Sequence, residues 1–240
     1  MQEFWDARAA ENALYYIDNR LDYASPDAEA FWAGGPEVLD TMLNRLGARI
    51  EPADEVLEIG CGVGRITRVL AARAARVRAL DVSPKMLERA AELSPELGNV
   101  EWILGDGRTL DAVADASVDV AHSDVVFQHI PDPSITLGYV REIGRVLRPG
   151  GWAAIQVSTD PEVHRARPPA RVPAALWASL RGKRPRAQGH SAWLGSALKL
   201  NDLRATATEA GMETERVVGA GTQFCHLLLR KALARQTSHP

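Results

Sequence analysis

The chain has 240 residues, 46% of them hydrophobic and 25% charged, with a formal net charge of −3. This ordinary globular composition excludes wholesale disorder and a globally basic nucleic-acid binder, while leaving a local basic patch open. Two cysteines make no disulfide framework, no apolar run nears the ~20 residues of a membrane span, and the acidic start is unlike a signal peptide, so a reducing, cytoplasmic location is expected.

In chain order, residues 1–49 read as helical. Leu14, Ile17, Asp18 and Leu21 share one face, and from about residue 26 Phe31, Val38, Met42, Leu43 and Leu46 recur at near-helical spacing. Gly34-Gly35-Pro36 interrupts that second segment, so two helices are expected there, the second starting near Pro36. From Asp54 onward, strand-like runs alternate with helical segments. Strands are expected at Glu55–Ile59, 77–80, Val100–Leu104, 118–127 and 152–157, and helices at 66–75, Pro84–Leu93 and 135–147. Ser83-Pro84 supplies a cap and first residue for one helix, and Pro149-Gly150-Gly151 stops another before the next strand. Repeated strand–helix units need crossovers, which build a mostly parallel α/β sheet covered on both faces. Residues 163–190 break the rhythm as an insertion, carrying Arg165, Arg167, Arg171, Arg181, Lys183, Arg184 and Arg186 without an acid. A helix at 201–210 and two strands at 212–218 and 223–229, around Gly219-Ala-Gly221, complete the reading.

The run Val56-Leu-Glu-Ile-Gly-Cys-Gly-Val-Gly64 reads as strand, glycine turn and helix start. Gly60, Gly62 and Gly64 let the backbone bend sharply and a ligand approach closely, and the following helix offers free N–H groups. A dinucleotide fingerprint would need glycine where Arg65 stands, which disfavours a nicotinamide oxidoreductase. Asp81 ends the second strand, near the ~20-residue distance at which an acid reaches a ribose diol. After the third strand, Asp106 can accept an exocyclic amine, with the backbone of Gly107 beside it. The fourth strand runs into Ser123-Asp-Val-Val-Phe-Gln-His129 at the switch point where open α/β sheets bind ligands.

Together these residues resemble the class I S-adenosylmethionine-dependent methyltransferase family. Leu57-Glu-Ile-Gly-Cys-Gly-Val-Gly64 is similar to its first motif and Leu80-Asp-Val-Ser-Pro-Lys-Met-Leu87 to its acidic loop. Gly105-Asp-Gly107 resembles its adenine loop, Phe127-Gln-His-Ile-Pro131 its segment after strand four, and Leu147-Arg-Pro-Gly-Gly151 its turn before strand five. The resemblance spans about residues 50–158. It implies a Rossmann-like seven-stranded sheet with the last strand antiparallel, in a single domain. A helical cap (1–49), a cofactor core (50–160), a basic lid (161–195) and a C-terminal helix with the last two strands (196–232) make up that domain. The implied cofactor is S-adenosylmethionine. Gly60, Gly62 and Gly64 would line its methionine and ribose, Glu58 would help hold the amino group, and Ser123 would sit near the methionine end. Asp81 would bind the ribose hydroxyls, Val82 or Met86 would pack on the adenine, and Asp106 with Gly107 would meet the adenine amine.

Methyl transfer from a sulfonium is an in-line displacement whose leaving sulfide needs no proton, so positioning and dehydration dominate. A base matters only for an acceptor that must lose a proton early. His129 is the candidate, as a base or as a structural and substrate-orienting residue; His122 reads as buried in its strand, and His164 and His190 flank the insertion. No Asn/Asp-Pro-Pro-aromatic sequence follows the fourth strand, which argues against nucleobase amines and glutamine amides as acceptors. No cluster has metal-ligand spacing, so no metal is expected. Trp5, Tyr15, Tyr16, Phe31 and Trp32 either wall the site or dock the cap on the sheet. The basic insertion either steers an anionic acceptor or forms a solvated lid. The expected activity is methylation of an oxygen or nitrogen on a small molecule, in secondary metabolism, by a monomer or homodimer without membrane contact. Two alternatives remain: an RNA or protein methyltransferase docking through the insertion, which Trp177 and Trp193 bracket, and a non-catalytic S-adenosylmethionine-binding protein.

Overall fold

The computed structural model describes residues 1–165 and 190–233; the insertion beyond Arg165, including Trp177, lies outside the described residues. The strands are β1 (Glu55–Ile59), β2 (Arg76–Asp81), β3 (Val100–Leu104), β4 (Val118–Ser123), β5 (Leu147–Val157), β6 (Met212–Val218) and β7 (Cys225–Lys231). They form one seven-stranded sheet in the order β3-β2-β1-β4-β5-β7-β6. Pairing is parallel from β3 through β5, and β7 runs antiparallel between β5 and β6, as expected for the Rossmann-like architecture.

The described helices are α1 (Gln2–Ile17), α2 (Ala28–Leu46), α3 (Arg65–Ala71), α4 (Pro84–Leu93), α5 (Pro133–Val146), α6 (Ser191–Leu194) and α7 (Leu200–Glu209). Alternate residues of each central strand feed two cores, one on each face of the sheet. Leu57, Ile59, Ala153, Ile155 and Leu227 pack with Ile143 of α5 and Leu203 of α7. On the other face Val56, Val77, Val120 and Ala154 pack with Leu39 and Met42 of α2 and Leu70 of α3. Local chemistry sets the helix starts. Asp27, Ser83 and Asp132 each accept a backbone N–H two or three residues on, and Pro84 and Pro133 occupy first helical positions.

Among the boundaries that differ from those expected, three have a clear physical cause. α2 runs unbroken through Gly34-Gly35-Pro36 instead of dividing there. Gly35 is the contact point with α3, for a Cβ on it would lie 2.9 Å from the Arg65 carbonyl and 3.2 Å from Val69 Cγ2. Glycine here serves a close helix crossing, whose packing outweighs the hydrogen bond that Pro36 cannot donate. β5 begins at Leu147, ahead of Pro149-Gly150-Gly151, because Leu147 pairs with Val118 and residues 148–151 bulge before Trp152 pairs with Val120. β4 ends at Ser123, since Val125 turns to a φ of 56° that no strand continues.

The two glycines of α2 separate propensity from packing. Gly34→Ala meets only Arg65 Nη1 at 4.0 Å and should gain up to about 1 kcal/mol from helix propensity. Gly35→Ala should instead lose about 1–2 kcal/mol by forcing α2 off α3. Urea unfolding checks both, and equal gains would remove the close crossing at Gly35.

Candidate functional site

β1 and β4 are neighbours whose following connections leave to opposite faces, so a crevice opens at their carboxyl ends. After Ile59 the backbone turns through Gly60 and Gly62, both at positive φ, and the Gly60 and Cys61 N–H groups donate to the Leu80 carbonyl at 2.7 and 3.0 Å. Asp81, the last residue of β2, accepts the Gly62 N–H on Oδ2 at 2.9 Å and the Ser83 N–H on Oδ1 at 2.8 Å. One carboxylate thus joins the glycine turn to the start of α4. Burial pushes the Asp81 carboxyl up, against the pull of those N–H groups. Glu58 is buried, accepts the Thr67 hydroxyl at 2.6 Å, and is raised from 4.5 to about 7 by burial and, less, by Asp81. Burial also raises the Cys61 thiol, which suits a filler better than a nucleophile.

Of the residues expected to hold the cofactor, Glu58, Gly60, Gly62, Asp81, Val82, Met86 and Gly107 line this crevice together. Gly64, Asp106 and Ser123 lie outside that wall. Gly64 caps α3, with its Cα facing Trp102. Asp106 is exposed and folds back on its own turn, accepting the N–H groups of Arg108 and Thr109 at 2.7 Å each. Ser123 is buried and donates its hydroxyl to the Ile59 carbonyl at 3.0 Å, tying β4 to β1. His129 lines the crevice, but both its ring nitrogens are engaged: Nδ1 lies 3.2 Å from the Trp193 carbonyl and Nε2 3.3 Å from the Gln128 amide nitrogen. Burial lowers His129 to about 4, so the ring is neutral. His164 and His190 hold α6, through the Leu194 carbonyl and the Ala192 N–H respectively.

The cap divides its aromatics between the two roles foreseen. Trp5 and Tyr16 line the crevice, whereas Phe31 is buried beneath the Arg65 guanidinium and Trp32 lies under that of Arg68. α1 crosses the mouth, with Met1 and Ile17 in the wall and a Cβ on Gly62 only 2.8 Å from Ile17 Cδ1. Two polar ties anchor it: Asp6 accepts the Ser83 hydroxyl at 2.5 Å, and Asp18 pairs with Arg65 at 2.7 Å. Sequence reasoning did not find Ile17, Arg65 or Asp124 as crevice residues. The signal for Asp124 was present, a carboxylate before an apolar run at the switch point.

The walls fit S-adenosylmethionine on their own chemistry. Bare backbone at Gly60 and Gly62 adjoins a carboxylate at Asp81, and apolar Leu80, Val82 and Met86 lie beside Gly107 as an adenine requires. When bound, that group supplies an electrophilic methyl on sulfur.

Residues 57–155 match the family model described as a methyltransferase domain. The chain is 31% identical over 137 residues to a 2-methyl-6-phytyl-1,4-hydroquinone methyltransferase of Synechocystis, covering 57% of this chain and 37% of that protein. It is 30% identical over 144 residues to a ubiquinone biosynthesis O-methyltransferase of Xanthomonas axonopodis, covering 57% and 59%. The chain therefore spans less than two thirds of the curated relatives it matches. The fold is shared with a phosphoethanolamine N-methyltransferase of Haemonchus contortus, at a TM-score of 0.67 and 16% identity over 99% of this chain and 49% of that one. The matched domain model over residues 57–155, the motif order and the sheet topology agree with one another, and each is similar to what the class I S-adenosylmethionine-dependent methyltransferases show.

Proposed function

We propose that the protein binds S-adenosylmethionine in this crevice and transfers its methyl group to an oxygen or nitrogen of a small molecule. The observation that carries the reading is the Asp81 carboxylate, held by the Gly62 and Ser83 N–H groups beside a bare glycine turn. Asp81 binds the ribose hydroxyls, Val82 and Met86 flank the adenine next to Gly107, and Glu58 steadies the methionine amino group. Asp106 reaches the adenine amine only by leaving its own turn. Trp5, Tyr16 and His129 bound the acceptor side, and α1 excludes water by lying across the mouth. His129, neutral and hydrogen-bonded at both nitrogens, orients the acceptor and supports the wall through Trp193 and Gln128. Two of the curated relatives are named as a 2-methyl-6-phytyl-1,4-hydroquinone methyltransferase and a ubiquinone biosynthesis O-methyltransferase, which supports a small-molecule acceptor. Steering of an anionic acceptor would rest on insertion residues outside the described structure.

Isothermal calorimetry with S-adenosylhomocysteine, followed by a screen for its release from S-adenosylmethionine against hydroxyl and amine compounds, tests the reading; a folded protein that binds neither overturns it. Asp81→Ala should cut S-adenosylhomocysteine affinity by roughly 1.5–3 kcal/mol, the worth of a charge-assisted hydrogen bond. Unchanged affinity would take Asp81 out of the site.

Glu58 gives a separate stability test. Its carboxyl is raised in the folded protein, so the protonated form favours folding. That contribution is complete below about 4.5 and disappears as pH rises through about 7. Without ligand, the wild type should lose on the order of 3 kcal/mol of stability between pH 4.5 and 8 from this group. Glu58→Gln should flatten that part of the curve, as measured by urea unfolding at several pH values. A Gln variant with the wild-type slope would contradict the buried carboxyl.

A further inference from the structure

We propose that Asp124 is the catalytic residue that takes the acceptor's proton, and that the acceptor presents an uncharged hydroxyl to it. This rests on the methyl-transfer reading. Asp124 follows β4 directly and lines the crevice, with its side chain only 12% exposed. The next residue, Val125, sits at φ 56°, a left-handed conformation that costs a β-branched residue dearly. The turn is held from β5, where the buried Gln156 accepts the Val125 N–H at 3.0 Å and donates its amide to Gln128 and the Gln223 carbonyl. A strained turn fixed from behind holds Asp124 in the crevice wall.

The surroundings suit a proton acceptor. His226 of β7 faces the carboxylate, its Nε2 3.9 Å from Asp124 Oδ1, and burial lowers that imidazole so that it adds no charge. His122, earlier on β4, lines the crevice with both ring nitrogens buried and without a hydrogen-bond partner, and is lowered to about 4. Its orphaned N–H is a donor for the acceptor's polar group. Arg65 of α3 places a guanidinium in the wall, but Asp18 already pairs with it. Glu58 of β1 and Asp81 of β2 add further carboxyls to the same wall, so an anionic acceptor would meet repulsion there. Burial raises Asp124 to about 6, with Arg65 and the Val125 N–H opposing. A carboxylate titrating there is ionised at neutral pH yet more basic than an exposed one. Among the described residues, no group of three His, Cys or carboxylate side chains is placed to hold a metal ion.

In the step, the acceptor oxygen forms a bond to the methyl carbon as the carbon–sulfur bond breaks, and that electron pair stays on sulfur. The hydroxyl proton passes to the Asp124 carboxylate and then to water. His129, whose lone pair is taken by Gln128, does not compete for it.

The test uses the full chain and its Asp124→Asn variant. Carbon-13 NMR of labelled aspartates should find a carboxyl titrating near pH 6 that vanishes in the variant. S-adenosylhomocysteine affinity should stay within about twofold, and phenol, the hydroxyl probe, should bind the S-adenosylhomocysteine-loaded variant at least tenfold more weakly at pH 8. A wild type with no aspartate titrating above 5, equal phenol binding, or a variant that alone loses S-adenosylhomocysteine overturns the assignment. A wild type that does not bind S-adenosylhomocysteine overturns the underlying reading instead.

Discussion

The Asp81 carboxylate is the point on which the crevice depends. Its two oxygens accept N–H groups from Gly62 and Ser83, which lie on different loops and serve different helices. Without it, the glycine turn after β1 would keep the Leu80 carbonyl as its partner but lose its fixed distance from α4. A carboxylate that is buried and bonded in this way is costly to leave uncompensated, so it constrains the backbone around it as much as the backbone constrains it. Ser83 extends the constraint: its hydroxyl accepts the Met86 N–H to start α4 and donates to Asp6 of the cap.

The cap is held by the same economy of charges. Asp18 ends α1 and pairs with Arg65 at the first position of α3, immediately after the glycine turn. Burial and neighbouring cations act on Asp18 in opposite senses, and the Arg20 bond, with Arg65 behind it, carries it down to about 2. The pair therefore stays ionised across the ordinary pH range, and α1 remains over the mouth with Ile17 on Gly62. The break in α1 at Asn12, whose side chain bonds the Tyr23 carbonyl and the Tyr15 N–H, lets one segment follow α4 and the next reach α3.

On the sheet side, polar groups sit where apolar residues would pack more cheaply. Glu58 and His122 are register partners on β1 and β4, and His226 lies one strand beyond β5. All three are buried, and burial shifts each of them toward its uncharged form. Such a row at strand ends, with orphaned imidazole nitrogens, is destabilising for the empty fold and useful only if a ligand supplies the missing partners.

The sequence by itself determined the alternation of strands and helices, the cap at Ser83 and the succession of glycine turn and acidic strand end. These are local patterns, with periods of two or 3.6 residues and hydrogen bonds spanning three positions. It also named several residues that line the crevice, since Gly60, Gly62 and Asp81 are close along the chain and joined by adjacent parallel strands. Tertiary structure decided the rest. α2 passes through Gly34-Gly35-Pro36 because α3 lies against Gly35, and Asp106 turns inward on its own loop because Arg108 and Thr109 offer nearer partners. His122 and Asp124 meet His226 from a hundred residues away only because the sheet places β5 and then β7 beside β4. Contacts of that kind have no period to read; they exist once the strand order has been fixed by packing on both faces.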